Sequence, residues 1–157
     1  MNNNKISRIS WLESFLLKDS ANKNFSQLTN FLTIVICSLI LILSAKIKVD
    51  LYPVPMTLQP LAVLMIAMLC GRYIAVSAVS LYLLQGMVGI PVFAYGGGLP
   101  YLLGPTGGFL FGFLFASILI GDLADRGWGK SVFKSVSAMF IGLLIISAFF
   151  SGSETAL

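Results

Sequence analysis

Histidine is absent from this 157-residue chain. That removes the side chain most often used as general base, proton shuttle or metal ligand near neutral pH. No Ser–His or Cys–His nucleophilic pair can be assembled without it. Charge is almost as scarce, at 10% of residues, where soluble domains carry about a quarter. No Asp or Glu falls inside the first four apolar runs, so an intramembrane proton relay or carboxylate catalyst has no candidates. The two cysteines, Cys37 and Cys70, belong to no metal motif. Both read as small apolar residues, and a structural disulfide between them is not expected. The chain is therefore not expected to be an enzyme, and no catalytic residue, cofactor or metal is assigned.

What the chain has instead is apolar length. It is 57% hydrophobic with mean hydropathy +0.93. This predicts a single all-α domain, a polytopic membrane helix bundle of about five spans. The apolar runs lie at about 28–45, 57–71, 73–90, 104–121 and 132–150. The second is short, near the lower limit of about 17 residues for a crossing. Residues 1–27 form a polar lead without the features of a cleaved signal. Within it Ile6, Ile9, Leu12 and Leu16 fall at helical spacing, which suits either a helix lying on the membrane or an unstructured tail. Residues 28–142 make the transmembrane domain, and 143–157 an atypical tail completing the fifth helix.

The net charge of +4 reflects where the cations sit and does not indicate nucleic-acid binding. With five spans, Lys5, Arg8, Lys18, Lys23, Arg72, Arg126, Lys130 and Lys134 share one side, and Lys46 and Lys48 the other. The positive-inside rule makes the first side cytoplasmic. The N-terminus is then cytoplasmic, in a cell membrane, and loops 49–56 and 91–104 both face outward.

The stretch 91–108 holds half of the prolines, a run of glycines, several aromatics and no charge. Such backbone between apolar runs is either a plain chain reversal or a segment folded over a cavity. In the preceding run Ala78, Tyr82, Gln85, Gly86 and Gly89 share one helical face. That face is either a ligand-facing wall or a helix-packing seam. Gly104-Pro105-Thr106 reads as a helix start with Pro at the first position. The N–H groups of Thr106, Gly107 and Gly108 are then free to receive an anionic or carbonyl group, or are simply capped. Gly108, Gly112 and Ala116 make small-xxx-small packing. Residues 124–131 fit a loose phosphate-loop pattern, but they join two membrane spans and not a strand and a helix; any ATP-binding site would lie on another subunit.

Three motifs in order carry a family resemblance. They are Tyr52-Pro53-Val54-Pro55-Met56-Thr57-Leu58-Gln59, Leu81-Tyr82-Leu83-Leu84-Gln85-Gly86-Met87-Val88-Gly89-Ile90-Pro91-Val92-Phe93-Ala94, and Leu103-Gly104-Pro105-Thr106-Gly107-Gly108. Together they resemble the BioY family, biotin-binding S-components of energy-coupling-factor (ECF) transporters, over roughly residues 31–142. The resemblance implies six helices, a cytoplasmic N-terminus, an outward biotin pocket closed by the two irregular loops, and partners in a transmembrane coupling subunit and ATPase subunits. It carries over Pro55, Thr57 and Gln59 to the first loop and second helix of the pocket. Tyr82 and Gln85 become its inner wall, Phe93 and Tyr95 its lid, and Gly104, Thr106 and Gly107 its outward helix start.

Two departures qualify it. The first helix has Cys37, Leu41 and Ala45 where the family has an Ala-xxx-Ala docking pattern, so docking would fall to Thr33 and Cys37. No sixth helix with its Asp and Lys follows. Residues 147–157 resemble instead a segment of the CorC/CNNM-type membrane domain, and a truncated or fused, non-transporting membrane protein is the alternative reading. The biotin carboxylate would then depend on the helix start at 104–108, or on Lys46 and Lys48.

Overall fold

The computed structural model describes residues 23–49, 56–104 and 106–155. The helices are α1 (Lys23–Lys46), α2 (Gln59–Met87), the single-turn α3 (Leu99–Leu102), α4 (Gly107–Asp125) and α5 (Val132–Thr155). A two-residue ribbon, β1 (Lys48–Val49) against β2 (Met56–Thr57), joins α1 to α2, and a 3₁₀ turn, Trp128–Lys130, joins α4 to α5. The ribbon is antiparallel, pairing Lys48 with Thr57 and Val49 with Met56. Four of these helices are long and apolar enough to cross a membrane.

Five spans are expected, and α2 accounts for the difference. Its 29 residues are interrupted at Gly71, which has φ 78° and ψ 176°. A straight helix would hold Gln59 and Tyr82 about 35 Å apart. They line the same small cavity, so the chain reverses at Gly71 and α2 is two antiparallel legs. These legs stand where the second and third spans are expected, and both are short for a crossing. Glycine is needed at the reversal because of its positive φ, and because a β-carbon there would run into the Asp125 carboxylate.

The reversal is fastened to the end of α4. The Arg72 backbone N–H donates to Asp125 Oδ2 at 3.2 Å. Asp122 takes Arg126 at 2.8 Å and Arg72 at 3.7 Å. Gly121 lets the backbone of Arg72 approach, since a β-carbon there would collide with it.

The core forms where α2 packs between α1 and α4. It includes Leu41 from α1, Val63, Ile74, Ala78 and Tyr82 from α2, and Phe113, Ala116 and Ile120 from α4, each almost fully buried. Between helices in lipid, which is as apolar as the core, close van der Waals packing and not transfer from water holds such side chains together. The expected packing stripe on α4 is present: Gly112 abuts Ile146 and Phe149 of α5, and Ala116 is buried. Cys37 and Cys70 are both buried and touch, joined by a side-chain hydrogen bond. Cys37, Leu41 and Ala45 face the core, which removes Cys37 from any docking surface on α1.

Candidate functional site

A pocket lies at the end of the bundle opposite Gly71. Thr57 of β2, Gln59 and Tyr82 from the two legs of α2, Phe93 and Ala94 of the following loop, Tyr101 of α3, and Thr106, Phe109 and Leu110 at the start of α4 line it. The fold-back of α2 brings its first and last turns to one place, which the linear sequence does not suggest.

Three aromatic rings make the wall. Phe93 is fully buried. It stacks on Tyr101 with ring centroids 4.9 Å apart and meets Tyr82 edge-on at 5.5 Å. The Tyr82 hydroxyl donates to the Val92 carbonyl at 3.4 Å. A tight turn sets Phe93 in place, its N–H donating to the Gly96 carbonyl at 2.8 Å. The loop is also tied back to α2, with the Gly98 N–H donating to the Gly86 carbonyl at 2.7 Å. Gly86 has to be glycine for this arrangement, since a β-carbon there would occupy the Phe93 ring.

The polar groups are few. Thr57, Gln59 and Thr106 supply hydroxyls and an amide among these rings. Gln59 is buried with its side chain against the Tyr82 phenol, and its Nε2 makes no hydrogen bond of good geometry. An unpaired buried donor costs about 1–3 kcal/mol, so a carbonyl oxygen entering the pocket would find a partner already in place. Burial raises the Tyr101 phenol above its ordinary value, and a hydrogen bond with Thr106 partly offsets this. The phenol is therefore a neutral donor at physiological pH.

The cavity is small, about 30 Å³, room for one or two water molecules. Residues 90–98 set the Phe93 ring across this cavity. We therefore call residues 90–98 the lid. Lys46, at the end of α1, donates from Nζ to the carbonyls of Pro91 and Phe93, both at 2.8 Å. Lys48 places its Nζ 3.2 Å from the centre of the Tyr95 ring.

Of the residues expected in the site, Thr57, Gln59, Tyr82, Phe93 and Thr106 converge on this pocket. Gln85 does not reach it: its Oε1 accepts from Ser38 Oγ at 3.2 Å, across the α1–α2 seam. Helical geometry explains the difference, because a residue three beyond Tyr82 sits about 60° around the helix and here meets α1. Tyr95 lies on the outside of the lid under Lys48 and is exposed. Gly104 and Gly107 do not line this pocket. The Gly107 N–H donates to Gly104 at 2.9 Å and is not free for a ligand, and a β-carbon on Gly107 would strike the Leu102 carbonyl. The helix starts at Gly107, with Thr106 preceding it, later than the expected start at Pro105. Pro55 and Pro105 lie outside the described residues.

Tyr101, Phe109 and Leu110 belong to the lining and are not in the expected set. Thr106, Phe109 and Leu110 follow an i, i+3, i+4 spacing, so extending Thr106 along its own helix face would have found two of them.

The comparisons agree with this architecture. The profile of the BioY family matches residues 18–151. The chain belongs to the BioY family. It is similar to the "Biotin transporter BioY" of Thermotoga maritima, 43% identical over 88 residues, covering 55% of this chain and 52% of that protein. It is also similar to the "Probable biotin transporter BioY" of Lysinibacillus sphaericus, 40% identical over 104 residues, covering 66% and 53%. It thus spans about half the length of the curated relatives it matches. The crystal structure of the S-component for biotin from an ECF-type ABC transporter superposes with a TM-score of 0.75, at 22% identity, over 85% of this chain and 75% of that one. The fold is that of a BioY-type multi-pass membrane bundle.

Proposed function

We propose that this BioY-family chain captures biotin in the Tyr82–Phe93–Tyr101 pocket, as the substrate-binding S-component of an ECF-type importer. The observation that carries this reading is the unpaired Gln59 Nε2 among aromatic walls. The ureido carbonyl of biotin is the acceptor that donor lacks, and the hydroxyls of Thr57 and Thr106 suit the ureido N–H groups or carbonyl. The fused rings match an apolar, aromatic lining. With Lys46 and Lys48 at the pocket end and Arg72, Arg126, Lys130 and Lys134 at the Gly71 end, the positive-inside rule favours a cytoplasmic Gly71 end. The pocket then opens outward, and a coupling subunit with its ATPases works from the inner face.

Equilibrium binding of radiolabelled biotin to the purified chain in detergent or nanodiscs tests this. Saturable binding that Gln59→Leu weakens at least tenfold is expected, since a hydrogen bond made in such a pocket carries about 1.5 kcal/mol. An absence of saturable binding at micromolar biotin would refute capture by this chain and favour the alternative of an inserted, non-transporting protein.

A further inference from the structure

The cation that ends α1 is engaged with the lid. Lys46 is exposed, yet its Nζ bridges two carbonyls of one short segment, those of Pro91 and Phe93. Phe93 is the residue whose ring fills the pocket between Tyr82 and Tyr101. Lys48, two residues further on, covers the lid from outside by lying over Tyr95. β1 pairs with β2, and β2 carries the pocket residue Thr57. The end of α1 thus touches the lid at three points. No Asp or Glu lies among the described residues of this end of the bundle before the last turn of α5.

We propose that Lys46 is a latch on the lid, and that an anionic end of the ligand releases it by substituting for the two carbonyls. This rests on the reading of the pocket as a biotin site. Both kinds of bond involve the charged ammonium, but a carboxylate sets a full negative charge opposite it where a carbonyl offers only a dipole. A ligand carboxylate arriving at exposed Lys46 therefore competes for the same ammonium that holds the lid closed. As it takes Nζ, Pro91 and Phe93 lose their shared donor, the 91–96 turn is freed, and the Phe93 ring leaves the pocket for the incoming rings. A neutral ligand of the same shape has to open the lid against the intact latch. Lys46 is a positioning and selectivity residue here, acting on Phe93 through the backbone.

The test compares the parent chain with Lys46→Met, which keeps the side chain's length without its donor, and Lys46→Arg, which keeps a donor. Hydrogen exchange reads the lid directly. Amides of 91–98 are expected to exchange roughly tenfold faster in Lys46→Met, with α4 amides unchanged and Lys46→Arg close to the parent. Association rates of biotin and of its neutral carboxamide read the release. The parent is expected to bind the acid at least tenfold faster than the amide, and Lys46→Met to bind both alike. Faster lid exchange with the acid-to-amide ratio preserved would overturn release by the carboxylate. Unchanged lid exchange in Lys46→Met would overturn the latch. If the parent binds neither compound, the biotin reading fails and release by a biotin carboxylate with it, while lid exchange still decides the latch.

Discussion

Adding one methyl group at position 86 sets helix propensity against lid packing. Gly86→Ala should gain about 0.5–1 kcal/mol, the difference between the two residues in a helix interior. Being close to the end of α2, it sits toward the low side of that range. Against this, the new β-carbon occupies the space of the Phe93 ring. The ring is the movable partner, because Gly86 lies on a helix packed into the core and Phe93 on a loop. Displacing it loses the contacts with Tyr82 and Tyr101, about 0.5–1.5 kcal/mol each beyond their buried area. It also exposes part of a fully buried phenylalanine, up to about 1.5–3 kcal/mol. The losses exceed the gain, and the net effect is a lid destabilised by about 0.5–5 kcal/mol.

Two readouts separate the local effect from a global one. Both cysteines are free and buried, so a thiol-reactive dye reports global unfolding as they become accessible. Hydrogen exchange across 91–98 reports the lid. Gly86→Ala is expected to speed lid exchange strongly while lowering the melting temperature modestly. Phe93→Ala, which removes the obstructing ring, should largely cancel the effect of Gly86→Ala in a double-mutant cycle. A Gly86→Ala chain with unchanged lid exchange and raised stability would show that propensity wins and that Phe93 does not pack against Gly86.

Gly71→Ala should destabilise the bundle by about 1–3 kcal/mol, through the positive φ and the contact with Asp125, read as a lower midpoint in the thiol-dye melt. Asp122→Asn should cost less than about 1 kcal/mol, because its partners Arg72 and Arg126 are largely solvent-exposed; a large loss that salt does not diminish would contradict the exposed geometry. Gln85→Leu should leave biotin affinity within about twofold, since its partner is Ser38, whereas Gln59→Leu should not; equal losses would return Gln85 to the pocket. Burial holds the Tyr101 phenol above its usual range, so the folded chain keeps this proton where the unfolded chain gives it up. Its contribution to stability is complete below the ordinary tyrosine range and is lost as pH rises through the higher folded value. Tyr101→Phe should flatten the alkaline fall in stability and remove one late phenolate transition from the absorbance titration.

Periodicity and hydropathy are enough to locate the long helical legs, because each is a run of apolar residues bounded by charge or Gly/Pro, but not the single turn Leu99–Leu102 inside the irregular loop. The reversal at Gly71 is legible only indirectly. No proline or polar loop marks it, and Arg72 is its single surface cue; what makes the turn is a backbone angle and the nearness of Asp125, fifty-odd residues away. The lining is legible where motif residues stand at the ends of the helical legs, as for Thr57, Gln59, Tyr82 and Thr106. Other motif residues make contacts that the sequence does not show: a β-carbon on Gly107 would meet the Leu102 carbonyl, Gly104 accepts from the Gly107 N–H, and Gln85 accepts from Ser38 across the α1–α2 seam. Tyr95 and Lys48 form a pair that composition alone cannot place, because it spans β1 and the lid.

The same distinction bears on the fate of the two outer lysines. In the sequence they stand as the obvious cations for a ligand carboxylate, and the first turn of α4 as an alternative. In the folded chain the Gly107 N–H already donates to the Gly104 carbonyl, and Lys46 and Lys48 lie against the lid. Both are committed to the lid, one to its carbonyls and one to its aromatic ring. On the latch proposal, a carboxylate that engages Lys46 also disturbs the segment that closes the pocket. Recognition and opening become one event, and the neutral wall of Tyr82, Phe93 and Tyr101 is left to read the rings once the lid has moved.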